Sequence, residues 1–174
     1  DLGPYDRSAP LGTGIYKVGG NYAASLRANH LAHEKGYACE FYLDAKEKKY
    51  MDECGAANFF GIKNNTYVTP KSTSILPSIT NKSLMQLAED FGMKVERRQI
   101  PEEELATFEE AGACGTAAVI SPISYIDDLD TGQRFMFSED SKPGPVSTKL
   151  YNHLRGIQYG TEEDKHGWTT VVIE

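Results

Sequence analysis

The first side chain in this sequence with the means to do chemistry is Lys17. It stands in GTGIYKVGGNY, just ahead of two glycines and an apparent helix start. Flexible, closely approachable backbone there lets a bulky ligand reach an amine. Spacing alone favours an exposed loop lysine. Three other short segments combine glycine or small residues with polar ones at the ends of elements: MDECGAAN (51–58), ILPSITNKS (75–83) and CGTAAVISP (114–122). Other arrangements fail in context. GTGIYKVGG has Lys17 where a dinucleotide fingerprint needs its third glycine, and no Gly-Lys-Ser/Thr is present for a P-loop. His30, His33 and Glu34 have no further ligand spaced nearby, so they read as a solvated helix face. DLDTG (128–132) contains the aspartic-protease triplet without apolar strand flanks, and reads as a hairpin turn.

Helices and strands must position these segments. A helix is expected from about Asn21 to Lys35, with Tyr22, Leu26, Ala28, Leu31 and Ala32 at near-helical spacing and Gly36 as its stop. CEFYLDA, YMDEC, ANFFGIK and YVTP read as successive strands with hairpins between them. A second helix starts at Ser78 or Thr80, carries Ile79, Leu84, Leu87 and Ala88 on one face, and ends at Gly92. MKVERRQI alternates as a strand. PEEELATFEE has a first-turn proline followed by acids, which favours a short third helix. GTAAVISPISYI reads as one buried strand, returning through DDLDTG into RFMFSED. A last helix spans Pro145 to Ile157, and TTVVI forms a terminal strand. Strict βαβ alternation is missing, so the class is a mixed α/β domain with much antiparallel sheet.

The 174 residues, 40% hydrophobic and 25% charged, suffice for one domain, or at most two small ones, with a proper core. No apolar run approaches the roughly 20 residues of a bilayer span, so no membrane association is expected. The balance of 18 basic against 25 acidic residues gives a net charge of −7, with no basic stripe. Nucleic acid is not an expected partner. Cys39, Cys54 and Cys114 are odd in number and widely spaced, which suggests neither a disulfide framework nor a zinc site and fits a reducing cytoplasm. The opening Asp, with no signal peptide ahead of DRSAPLGTG, reads as a cut inside a longer protein.

RSAPLGTG, KVGGNYAASL, LDAKEKKYMDECGAANFF, ILPSITNKSL, GTAAVISP, GIQYG and DKHGW follow one another over essentially the whole chain. Together they resemble the larger, C-terminal domain of fold-type IV pyridoxal-phosphate enzymes, most closely the branched-chain amino-acid aminotransferases. The resemblance implies a barrel-like sheet with surrounding helices over residues 1–174, the family's small N-terminal domain being absent. It implies pyridoxal 5'-phosphate as cofactor and small amino acids and 2-oxo acids as substrates: leucine, isoleucine or valine with 2-oxoglutarate. It further implies a cytoplasmic enzyme that is a homodimer at full length.

By position, Lys17 matches the lysine that carries the cofactor covalently and then moves a proton. Tyr22 matches the tyrosine that bonds the cofactor's phenolic oxygen. Glu53, which alone would read as a surface acid, matches the carboxylate that pairs with the pyridine nitrogen. Ile79, Thr80 and Thr116 match the phosphate contacts, and Ala56 and Ala117 match backbone N–H donors to the substrate carboxylate. Arg7 reads as a structural arginine or a further anion contact. This chain has Gly55-Ala56-Ala57-Asn58 where the family more often has GTMN, Ser78 where it has Gly, and Asn81 where it has Arg. Ser78 must then tolerate a close backbone approach. The redox CxxC of some mammalian members falls on TAAVIS, which has no cysteine, so no switch of that kind is expected. D-amino-acid aminotransferases and 4-amino-4-deoxychorismate lyase share the lysine and acid, but GIQYG and DKHGW argue against them. A reading of another class is a cofactor-binding module without turnover, because the absent domain supplies a phosphate-binding arginine and walls of the pocket.

Overall fold

The computed structural model describes residues 4–172. Seven strands form one sheet: β1 (Phe41–Leu43), β2 (Met51–Cys54), β3 (Ala57–Lys63), β4 (Thr66–Pro70), β5 (Lys94–Arg98), β6 (Glu110–Gly115) and β7 (Val119–Ile123). The central strand is β3. One edge pairs antiparallel with β6, from Asn58↔Cys114 to Ile62↔Glu110. The other edge pairs with β2 at its start, through Glu53↔Asn58, and with β4 at its end, through Gly61↔Val68. β5 lies parallel to β4, and the crossover between them is helix α2 (Ile79–Asp90). A separate hairpin, β8 (Tyr125–Asp127) with β9 (Arg134–Met136), carries DLDTG in its turn as expected.

Both faces of the sheet are covered at its centre, so β3 is buried continuously from Asn58 to Ile62 instead of alternating. Phe59 packs on one side with Phe41, Met51, Ile100, Leu105 and Phe108. Phe60 and Ile62 pack on the other against Leu84 and Leu87 of α2 and Leu150 and Leu154 of α3 (Pro145–Tyr159). Each such side chain contributes about 1.5–3 kcal/mol by leaving water. The N-terminus of α3 is held by a buried acid: Glu110 accepts from the backbone N–H groups of Val146 and Ser147 at 2.9 and 2.8 Å. Near the other end of the chain, His166 Nε2 lies 2.6 Å from Asp90 Oδ2 at the end of α2, and its ring stacks on Trp168.

Several expectations need correction. The sheet is open and branched and does not close into a barrel. Helix α1 (Gly19–Glu34) starts two residues earlier than expected, and Leu26 is 69% exposed, because only Asn21, Ala28 and Ala32 of this helix are buried. Ile79, expected in the α2 core, is 71% exposed in the helix's first turn. PEEELAT forms a 3-10 helix, Glu102–Thr107, that stops short of β6. The single strand read through GTAAVISPISYI is three: the end of β6, then β7, then β8, with a turn at 116–118. Small residues in EAGACG hid β6, which packs through backbone pairing against the aromatic β3. Thr169–Val172 form no strand, and Ile173 lies outside the described residues.

Candidate functional site

The loop carrying Lys17 is shaped by a buried asparagine. Asn21 Nδ2 donates to the carbonyls of Thr13 and Tyr16 at 2.8 and 2.9 Å, and its Oδ1 accepts from Thr13 Oγ1 at 2.7 Å. Gly14 fixes the loop's depth, since a Cβ there would stand 1.9 Å from the Ser74 carbonyl oxygen. This leaves Lys17 exposed just before α1, with its Nζ 5.8 Å from the centre of the Tyr22 ring. Gly19 and Gly20 have open space beside them.

Arg7 joins that loop to the sheet. Its guanidinium donates to Ser74 O at 2.8 Å and to Gly14 O at 3.4 Å, and its Nε forms an ion pair with Glu53 Oε1. Of the two roles read for Arg7, the structural one is what these contacts describe. Glu53 is 1% exposed, because all four residues of β2 are buried between the sheet's two covered faces. Burial pushes its carboxyl up to about 7, against the opposing pull of Arg7 and of an Asn58 hydrogen bond; neighbouring Asp52 adds to the rise. Asp52 is itself pushed up to about 6 by burial. Glu53 Oε2 accepts from Asn58 Nδ2 at 3.0 Å. Oε1 is paired with the Arg7 guanidinium. A buried carboxylate oxygen in that condition has capacity for one more donor.

The β2–β3 turn needs glycine at Gly55, whose φ is +51°, and exposes Ala56. Because β6 ends where β3 begins, the turn 116–118 emerges at the same end of the sheet, with Thr116 and Ala117 exposed. Ser78 caps α2 at an ordinary φ of −68°, accepting from the Asn81 N–H at 3.2 Å, so serine here strains nothing. The amides of Ile79 and Thr80 lead the helix ahead of any intrahelical acceptor, the arrangement that favours an anion. Thr80 is buried and Ile79 exposed. Asn58 Nδ2 also donates to Leu76 O at 3.0 Å, which ties Glu53 to the chain entering α2.

Sequence reasoning did not single out Asn21, Asn58 or Asn81 as side chains that hold this site together. Their only signal was polarity inside otherwise small or apolar motifs. Cys54 and Cys114 are buried thiols with their acidities suppressed by burial, as small core residues should be. Cys39 is half-buried, and its hydrogen bond with Cys54 lowers it to about 7.

The chain was compared with proteins already known. The model of the amino-transferase class IV family matches residues 4–126. A branched-chain-amino-acid aminotransferase of Haemophilus influenzae is 49% identical over 175 residues, covering 97% of this chain and 50% of that protein. The solved branched-chain amino acid aminotransferase from Escherichia coli matches with a TM-score of 0.84 at 31% identity, over 99% of this chain and 56% of its own. A branched-chain amino acid aminotransferase from T.th., solved with pyridoxamine 5'-phosphate, matches with a TM-score of 0.84 at 26% identity, over 99% and 54%. The chain thus spans about half the length of the relatives it matches.

Proposed function

The chain belongs to the amino-transferase class IV family, and from that premise we propose that residues 1–174 are the larger, C-terminal domain of a branched-chain-amino-acid aminotransferase. The full enzyme transfers the amino group of leucine, isoleucine or valine to 2-oxoglutarate, works in the cytoplasm and is a homodimer. The observation that carries this reading is Glu53, a sealed carboxylate held by Arg7 and Asn58 beneath a sheet end where turn amides and a helix N-terminus are exposed. The donors fit pyridoxal 5'-phosphate. Glu53 would accept from the ring nitrogen, Tyr22 would donate to the phenolic oxygen, and Ile79, Thr80 and Thr116 would hold the phosphate. A relative solved with pyridoxamine 5'-phosphate supports the same choice.

When bound, the cofactor supplies an electron sink for the charge left on the substrate's Cα. The chain's own residues do the rest. Glu53, ionised, keeps a proton on the ring nitrogen, because an adjacent negative charge favours the protonated ring. The Lys17 amine would hold the cofactor covalently and would serve as the base that takes and returns the substrate's Cα proton. The amides of Ala56 and Ala117 orient the substrate carboxylate at the rim. Borohydride reduction in the presence of pyridoxal phosphate, followed by peptide mapping, tests the assignment. The label is expected on Lys17, with none in Lys17→Ala. A label on Lys46 or Lys82 instead would overturn it.

A further inference from the structure

Asn58 is 4% exposed, and its amide is fully engaged. Its Nδ2 donates to Glu53 Oε2 and to Leu76 O, both at 3.0 Å, and its Oδ1 accepts from Asn81 Nδ2 at 3.5 Å. The groups behind Asn81 fix the direction of this chain. Thr69 Oγ1 spends its proton on the Phe59 carbonyl at 2.7 Å, so toward Asn81 Nδ2, at 2.9 Å, it can only accept. The Tyr67 hydroxyl donates to Asn81 Oδ1 at 2.8 Å. Asn81 therefore turns its NH2 toward Asn58, and Asn58 turns its NH2 toward Glu53. A chain of this polarity ends by donating to the carboxylate and so favours its ionised form. It also spans the site, because Asn81 sits in the first turn of α2 with its own N–H on the cap Ser78.

We infer that Asn58, backed by Asn81, is the positioning residue of Glu53: it occupies Oε2, so that Oε1, beside Arg7, is the oxygen that takes the cofactor's ring nitrogen, and it ties the carboxylate to the first turn of α2. The inference rests on the reading of Glu53 given above. Where the family has Arg, Asn81 provides the short, two-sided amide that the chain of bonds requires. The other groups facing Glu53 are Arg7, which favours its charge, and Asp52, which opposes it, with the thiols of Cys54 and Cys114 on the adjoining strand positions.

The test titrates Glu53 in the cofactor-free protein by NMR of its side-chain carboxyl carbon, with Glu53→Gln identifying the resonance. In the unmodified protein the Asn58 side-chain NH2 signals should shift with the same midpoint as Glu53. In Asn58→Leu the Glu53 midpoint should rise by about one unit, and by less in Asn81→Ala, because an ionic acceptor loses its donor. In the loaded full-length enzyme, Asn58→Leu should lower kcat by roughly tenfold or more with little change in KM for leucine, as expected for a lost preorganised contact. The acid limb of kcat should move to higher pH. Asn58 signals that stay flat through the Glu53 titration overturn the inference, and that measurement needs no variant to fold. So does an unmoved Glu53 midpoint in folded Asn58→Leu. The titration uses no cofactor, so this coupling can fail while Lys17 still takes the borohydride label, and the reverse.

Discussion

At the scale of single residues, Glu53 shows how burial converts an ordinary acid into a tuned one. Its folded value of about 7 stands above the ordinary 4.5, so the folded chain holds this proton more tightly than the unfolded chain does. The stabilisation is complete below pH 4.5 and is lost as pH rises through about 7. At about 1.4 kcal/mol per unit, it is on the order of 3 kcal/mol. Glu53→Gln removes it. The stability of the cofactor-free wild type, measured against that variant by denaturant unfolding, should therefore fall between pH 4.5 and 7. Asp52, shifted in the same direction, is common to both proteins and cancels to first order. Parallel stability curves would mean that Glu53 titrates as an exposed carboxyl. The type and place of Glu53 were legible in the sequence, through its motif. Its burial was not, because MDEC looks like any short mixed strand until both faces of the sheet are covered.

Individual elements are held by polar side chains that no periodicity predicts. Asn21 makes three hydrogen bonds to the loop ahead of α1 and so sets where Lys17 emerges. Asn21→Ala removes three hydrogen bonds and leaves the Thr13 hydroxyl without its acceptor, while the carbonyls of Thr13 and Tyr16 keep only the N–H groups of Tyr16 and Val18. The cost should be about 1–3 kcal/mol. Hydrogen exchange should quicken over residues 13–18 while the amides of β3 and β6 remain protected. Equal loss across the sheet would mean that Asn21 supports the whole fold and not the loop alone. Elements with local punctuation were read well: Ser78 caps α2, and Pro145 opens α3. β6 was missed because a run of Ala, Gly and Cys has little strand propensity of its own. Its identity comes from the partner strand, whose aromatic rings need small neighbours.

The molecule as a whole covers about half of its relatives, and that bounds what it does alone. The proposed cofactor contacts in this chain are an amine, a hydroxyl, a carboxylate, amides and a threonine, with no arginine placed at the phosphate. One missing charge-assisted contact weakens binding by roughly 1.5–3 kcal/mol, or about 10- to 100-fold. On the proposed reading, the 174-residue chain should therefore bind pyridoxal phosphate weakly and show negligible turnover with leucine and 2-oxoglutarate, while a chain of its relatives' full length is active. Turnover by the short chain close to that of the long one would overturn the reading of residues 1–174 as one domain of a larger site.

The sequence by itself determined the ordered motifs, the family they resemble and the starts of α2 and α3, because these are written locally: a cap, a first-turn proline, a lysine before two glycines. Tertiary structure decided which of those residues are sealed and which are open. Glu53 is buried because β2 lies in a sheet covered on both faces. Ile79 lies on the outer face of the first turn of α2, whose Thr80 and Asn81 are buried, and Thr116 is exposed because β6 and β7 are a hairpin and not one strand. Only in the fold do Arg7, Glu53, Asn58 and Asn81 meet, from three separate segments. Hydrogen bonds and charge pairing depend on distance in space, which the order of residues along the chain does not record.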